Sequence, residues 1–373
     1  MSTTRLIDLF LSLVKYPSPS GLEGGIGNLL HAKLCELGFE VAVDDADKKI
    51  NGEMGNIIAR KKSHISMKPI LLCAHMDTVK PISKTDPIIK DGIIKSCGDG
   101  VIGADDKAGI AAILEGVQRI IESSQEHIPI EILFTVCEEG GLKGSYAFDV
   151  KGLRSCMGFV FDSRGSVGNI IIQAPAKKSL EFTFKGRAAH AGAEPEKGIN
   201  AIVAASKAIV DMELGRISDI TTANIGIIQG GVAKNIVPET VKITGEVRSL
   251  LDGDLNEQVA RMVKVAQKAA EDVGATLEKN VIDDFPNLKL NKSDHVVQVA
   301  TEAIMKLGIK VEYCKSGGGS DAAILTKKGI PSVNLAVGYE HPHTNQEEIA
   351  IEQLEKASEL VVKLLTTFEK SYS

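Results

Sequence analysis

Three stretches of the chain are apolar almost without interruption and then end abruptly in polar or charged residues. They are PILLCAHMDTV at 69–79, IPIEILFTVCEE at 128–139 and MGFVFDSRG at 157–165. Runs of that length without alternation predict strands buried on both faces. Between and before them the apolar period is helical. ADDKAGIAAILEGVQRI predicts a helix over about 105–123, GLEGGIGNLLHAKLCELG one near 21–38, and Leu6, Phe10, Leu13 and Val14 mark a first helix. Further strands are expected near 39–44 and 54–60. Buried strands separated by amphipathic helices predict an α/β fold, with a mixed, mostly parallel sheet between helices.

The pattern changes near Ala174. KSLEFTFKG at 178–186 alternates like a strand with one solvated face. A helix follows at about 197–214, then the strands ANIGIIQGG and ETVKITGEVRSL, a helix at about 253–273 and the strand ATLEKNVIDDFP. The order β-α-β-β-α-β is that of a ferredoxin-like α+β unit. After Pro286 the α/β character returns with a helix near 293–307, KVEYC, a Gly-rich loop, a helix, SVNLAV and a last helix at 351–369. The expectation is one discontinuous domain, 1–173 with 287–373, interrupted by an inserted domain at 174–286.

Composition narrows the function. The 373 residues carry 43 basic and 49 acidic side chains, a formal charge of −6. That balance argues against a broad nucleic-acid or anionic-membrane surface. Trp is absent, and the few Phe and Tyr make a poor base-stacking platform. No apolar run approaches the roughly 20 residues of a membrane span. LIDLFLSLV near the N-terminus is broken by Asp8 and lacks the flanks of a targeting segment. None of the six cysteines is spaced as C-x-x-C, so reduced thiols in a cytoplasmic protein are expected.

The chemistry lies at the strand ends. His75 and Asp77 end one core run, Glu138 and Glu139 a second, and Asp162 a third; Asp105 and Asp106 open a helix, and His343 follows the last apolar strand. In an open α/β sheet ligands bind outside the carboxyl ends of the strands, so these residues are expected to converge on one crevice. Each pair alone is commonplace: Asp105 and Asp106 suit a helix N-terminus, and Glu-Glu is usually solvated. Together they crowd carboxylates and imidazoles in a way that calls for bound cations. A His and carboxylate set without thiols suits zinc, with manganese or cobalt as competitors.

AHMDTV, GADDKAG, TVCEEGGLKGS, VFDSRG, RAAHAG and HPHTNQEE, in this order, resemble the dinuclear zinc exopeptidases and deacylases, which include peptidase T, glutamate carboxypeptidase and acetylornithine deacetylase. The resemblance spans essentially the whole chain, and GADDKAGIA is most similar to the peptidase T branch. It implies that His75 and Asp162 bind one metal, that Glu139 and His343 bind the other, and that Asp105 bridges both. It also implies that Asp77 orients His75 and that the Asp105–Asp106 peptide is cis. HTNQEE fits His343 as the ligand rather than His341. Glu138 is the implied general base, a role that suits a carboxylate adjoining a ligand without being one. Relatives often carry Asp where this chain has Cys137, which is expected in the core strand rather than as a nucleophile.

For the inserted domain the resemblance implies a lid and dimerisation role. His190 in RAAHAG would reach across a dimer interface to the developing oxyanion. Asn235 in AKNIVPE and Arg248 in EVRSL would bind substrate, although without the resemblance His190 reads as a turn histidine and Arg248 as a partner of Glu246. The implied function is a metal-dependent exopeptidase that removes the N-terminal residue of short peptides, probed first with tripeptides. It would use two divalent ions, a metal-activated hydroxide and a homodimeric assembly. An N-acyl amino-acid deacylase or a carboxypeptidase of the same fold is the alternative, and a non-catalytic metal-binding relative is the reading from another class.

Overall fold

The computed structural model describes residues 2–80 and 87–367. Contacts divide the chain into two compact units: residues 1–173, 289–316 and 320–373 in the first, and 174–288 with 317–319 in the second.

The main sheet of the first unit runs in the order Glu40–Val43, Ile57–Lys61, Ile130–Thr135, Ile70–His75, Gly158–Ser163, Ser332–Ala336 and Asn169–Ala174. Ile70–His75 lies parallel between Ile130–Thr135 and Gly158–Ser163, and Ser332–Ala336 is parallel to Gly158–Ser163. Ile57–Lys61 joins Ile130–Thr135 antiparallel, and Glu40–Val43 joins Ile57–Lys61 in the same sense. Every residue of Ile70–His75 and of Ile130–Thr135 is buried, as their unbroken apolar runs require.

Helices Ser2–Val14, Ala104–Ser123, His295–Lys306 and Ile351–Thr366 pack on one another as one layer. Asp321–Lys327 and Lys143–Ala147 belong to another, in contact with each other. Two glycines let Ala104–Ser123 approach closely. A Cβ on Gly109 would lie 2.0 Å from the Phe161 carbonyl oxygen, and one on Gly116 would lie 2.6 Å from Val361. That contact sets the start of this helix, with Asp105, beside the strand that carries Asp162.

A small antiparallel sheet of Tyr339–Glu340, Glu348–Ala350, Ile93–Lys95 and Ile88–Lys90 was not anticipated. Strands of two or three residues leave no readable period. The loop between the first two of them carries His343.

The second unit has the antiparallel order Thr221–Gly230, Thr240–Ser249, Ala176–Lys185 and Thr276–Phe285. That is the ferredoxin-like arrangement. Leu180, Phe182 and Phe184 alternate inward from Ala176–Lys185 onto helices Ala201–Asp211 and Asp252–Asp272. Beyond Thr221–Gly230 the short strand Gly215–Arg216 pairs only with Thr222 and Ala223. Among the described residues, the outer edge from Asn224 to Gly230 has no strand beside it.

Candidate metal centre

His75 is the last residue of its strand, Asp77 lies two residues on, and Glu138 and Glu139 follow Ile130–Thr135 in a tight turn. Asp162 lies near the end of Gly158–Ser163. Asp105 opens its helix with non-helical backbone angles and a cis peptide to Asp106. His343 has φ 66° in its loop, a left-handed conformation uncommon outside glycine. The structure brings these seven sequence-predicted residues together in the first unit.

The donor atoms fall into overlapping groups, each within 4.8 Å: His75, Asp105 and Asp162; Asp105, Glu139 and His343; and His75, Glu138 and Glu139. Asp105 divides its two oxygens. Oδ1 lies 3.0 Å from His75 Nε2, and Oδ2 lies 3.3 Å from His343 Nε2. Asp162 Oδ1 is 3.6 Å from His75 Nε2. His343 Nε2 stands 2.6 Å from Glu139 Oε1, yet that buried oxygen receives no aligned hydrogen bond. Close approach without hydrogen-bond alignment fits two donors turned toward a common ion. The set is mixed nitrogen and oxygen, without sulfur, and one carboxylate is shared, so the residues fit two divalent cations.

The electrostatics point the same way. Burial pushes Glu138 and Asp106 well above the usual carboxylate range, and pushes Asp162 up to about 7. Asp105 is buried too, but His343 and His75 beside it hold its carboxyl below the ordinary value. Burial alone would lower His75; Asp105, Asp162 and Asp77 overcome it and raise its pKa well above normal. Asp105 and Glu139 lift His343 to about 10. Without cations, then, protons on the two imidazoles and on the raised carboxylates offset the crowding of negative charge. A ring nitrogen must lose its proton to ligate. Loading both ions near pH 7 is expected to release more than two protons per chain, one from each imidazole and a share from Asp162, which is part-protonated there. The yield should fall above pH 10, where His343 is already neutral. Uptake of both ions in a pH-stat without proton release would remove the imidazoles from the ligand set.

Asp77 differs from expectation in detail. His75 Nδ1 meets the Asp77 main-chain oxygen at 2.8 Å, and the carboxylate stands farther off at 3.5 Å. The carboxylate instead accepts the N–H groups of Glu138 at 2.8 Å and Glu139 at 3.1 Å, and the Ser20 hydroxyl at 2.5 Å. It therefore holds the turn that carries both glutamates. Cys137 is not part of the strand. It is buried in that turn with φ 53°, and burial lifts its thiol to about 11, far from a thiolate nucleophile.

Several residues support the donors; Asp106 was among the residues expected at the crevice, whereas Asn334, Tyr339 and Glu23 had no sequence signal. Asp106 accepts the His75 and Gly109 N–H groups. The Asn334 amide accepts the Asp162 N–H and donates to the Asp162 carbonyl, and Tyr339 donates its hydroxyl to Asp162 Oδ1 at 3.3 Å. Glu23 accepts the Cys137 N–H. Most of these bonds run to main-chain groups distant in sequence; the Tyr339 bond runs to the Asp162 side chain.

His190, Asn235 and Arg248 belong to the second unit. His190 is exposed, and its Nδ1 accepts the N–H groups of Gly192 and Ala193. The neutral ring therefore carries its proton on Nε2, as a donor. The Asn235 carbonyl accepts the Ala191 N–H, next to His190. Arg248 forms two bonds to Glu246, at 2.8 and 3.2 Å, and one to the Gly317 carbonyl at 3.0 Å.

The profile of peptidase family M20/M25/M40 matches residues 71–367. An uncharacterized protein of Bacillus subtilis, YqjE, is 42% identical over 97% of both chains. The crystal structure of aminopeptidase PepT from Bacillus cereus superposes with a TM-score of 0.89 at 41% identity, over 98% of each chain. That of a tripeptidase from Staphylococcus aureus superposes with a TM-score of 0.93 at 38% identity, also over 98% of each. The chain belongs to peptidase family M20/M25/M40, in its peptidase T-like branch, and is a peptidase.

Proposed function

We propose that the protein is a metal-dependent exopeptidase that hydrolyses the N-terminal peptide bond of short peptides, tripeptides foremost. The observation that carries the reading is the placement of Glu138. Its carboxylate is half-buried among the donor groups, within 4.8 Å of donor atoms of His75 and Glu139, while Asp77 holds its N–H. The names of the relatives, aminopeptidase and tripeptidase, support the substrate class.

His75, Asp105 and Asp162 would hold one divalent ion, and Asp105, Glu139 and His343 the other. When bound, such ions supply Lewis acidity toward the scissile carbonyl and make water acidic enough to attack near neutral pH. Zinc suits the donors best, with cobalt or manganese able to substitute. Glu138 takes the proton of the attacking water and returns it to the leaving amine. In a dimer, Nε2–H of the partner subunit's His190 would donate to the developing oxyanion. Asn235 and Arg248 are the proposed substrate contacts, and Arg248 can grip a peptide carboxylate with two parallel bonds only by leaving Glu246.

The proposed dimer uses the second unit as lid and dimerisation domain. Its support is the open edge from Asn224 to Gly230, beside Ile227 and Ile228, each about half exposed, and Val232, 86% exposed. An unprotected apolar edge favours pairing with a second copy. Ile228→Lys is expected to shift the protein to monomer in sedimentation at micromolar concentration. An unchanged dimer would place the interface elsewhere. The six unpaired cysteines suit the proposed cytoplasmic location.

The substrate reading is tested with Ala-Ala-Ala, its N-acetylated form and longer peptides, each with zinc, cobalt and manganese. The free tripeptide is expected to turn over fastest, releasing the N-terminal alanine. Cleavage of only the blocked peptide would make the protein a deacylase or carboxypeptidase. No turnover and no bound metal would make it a non-catalytic relative.

A further inference from the structure

Glu347 is completely buried, four residues beyond His343. Its carboxylate does not face the donor cluster. Oε2 accepts the Gly103 N–H at 2.7 Å, and Oε1 accepts the Asp105 N–H at 3.0 Å. Both belong to the turn that opens Ala104–Ser123, where N–H groups have no helical partner. Gly103 stands there at φ 71°. Burying a carboxylate is costly unless it is bonded, and here the bonds run to main chain 244 and 242 residues away in sequence. Lys107, nearly as buried, bonds the Tyr16 carbonyl and supplies a nearby positive charge.

At its other end Glu347 belongs to the loop that presents His343. The loop is closed by its own bonds, Thr344 to the His341 carbonyl and the Glu347 N–H to the Thr344 carbonyl. It is anchored by the antiparallel pair Tyr339–Glu340 and Glu348–Ala350. Above it His343 Nε2 faces Asp105 Oδ2 at 3.3 Å. Asp77 and Asp106 brace the site as well, and among the described residues Glu347 ties the His343 loop to the Asp105 turn through two bonds.

We propose that Glu347 is a positioning residue for metal binding, holding the His343 loop and the Asp105 turn as one element so that His343 and the shared carboxylate are pre-set toward a common ion. The inference rests on the dinuclear reading of the site. Without the clamp, each ion would have to order the two loops against each other as it binds, and affinity would fall. Asp105 serves both groups, so both ions should feel the loss, the one held with His343 more strongly.

The test is zinc and manganese affinity of the full chain by competition with a chelating indicator, in wild type, Glu347→Gln and Glu347→Asp, with the melting temperature of each metal-free protein measured alongside. The glutamine keeps the shape but turns an amide N–H toward one of the two donors, and the aspartate keeps the charge but spans less. The expected result is a loss of affinity of about 10- to 100-fold in Glu347→Gln and less in Glu347→Asp. If Glu347→Gln does not fold, the loss in Glu347→Asp decides. Lowered melting temperatures with wild-type affinities would show a merely structural role and overturn the inference. Wild type that binds no divalent ion would overturn the dinuclear reading, and this inference with it; wild type that binds two while the variants match it would overturn this inference alone.

Discussion

Glu138→Gln is expected to lower peptide turnover by about 10²- to 10⁴-fold while two equivalents of divalent metal stay bound. The substitution keeps the size of the side chain and its main-chain anchor. The Glu138 N–H still reaches Asp77 Oδ1, and the two three-residue groups that share Asp105 keep every donor. What disappears is the capacity to accept a proton from water and hand it to an amine. Steady-state kinetics beside metal analysis separates the cases. Full metal with collapsed kcat supports the general base, and full metal with wild-type turnover would assign the proton transfer elsewhere.

Asp105→Ala is expected to produce the largest loss of metal, weakening both ions by about 100-fold or more and abolishing activity. The physical reason is the division of its oxygens, one toward His75 and the other toward His343. No other carboxylate of the cluster is a member of both groups with His75–Asp162 and Glu139–His343. Asp105→Asn separates this from simple damage. An amide offers one oxygen and turns N–H toward the other group, so one ion is expected to remain where alanine leaves none. Equal occupancy in wild type and both variants, by metal analysis after dialysis, would remove Asp105 from its bridging place.

The residues at strand ends were legible because a strand buried on both faces writes itself as a continuous apolar run, and an abrupt charge at its end has few structural reasons to be there. His75, Glu139 and Asp162 were read in that way, and their convergence follows from parallel neighbours in one sheet. The ferredoxin-like unit was legible from element order. Asn334, Tyr339, Glu23 and Glu347 were not, since each acts on a segment distant in sequence, mostly through its main chain. Acceptors for backbone N–H groups follow no period and no spacing. Asp77 shows the same limit: its place was readable, but the direction of its carboxylate was decided by the turn of Cys137, whose left-handed backbone has no signature in a cysteine.

The strand Ser332–Ala336 lies between Gly158–Ser163 and Asn169–Ala174, which are neighbours in sequence. A pair of strands joined by a short loop is thus held apart by a strand from the far side of the inserted unit. In kinetic terms, this sheet closes only after a very long loop of chain has been brought back, which delays folding more than it costs stability. His343 follows that strand, so the donor cluster is complete only once this long-range pairing has formed. Metal that binds only the completed cluster would act as a latch on that step, drawing the equilibrium toward the closed sheet by mass action.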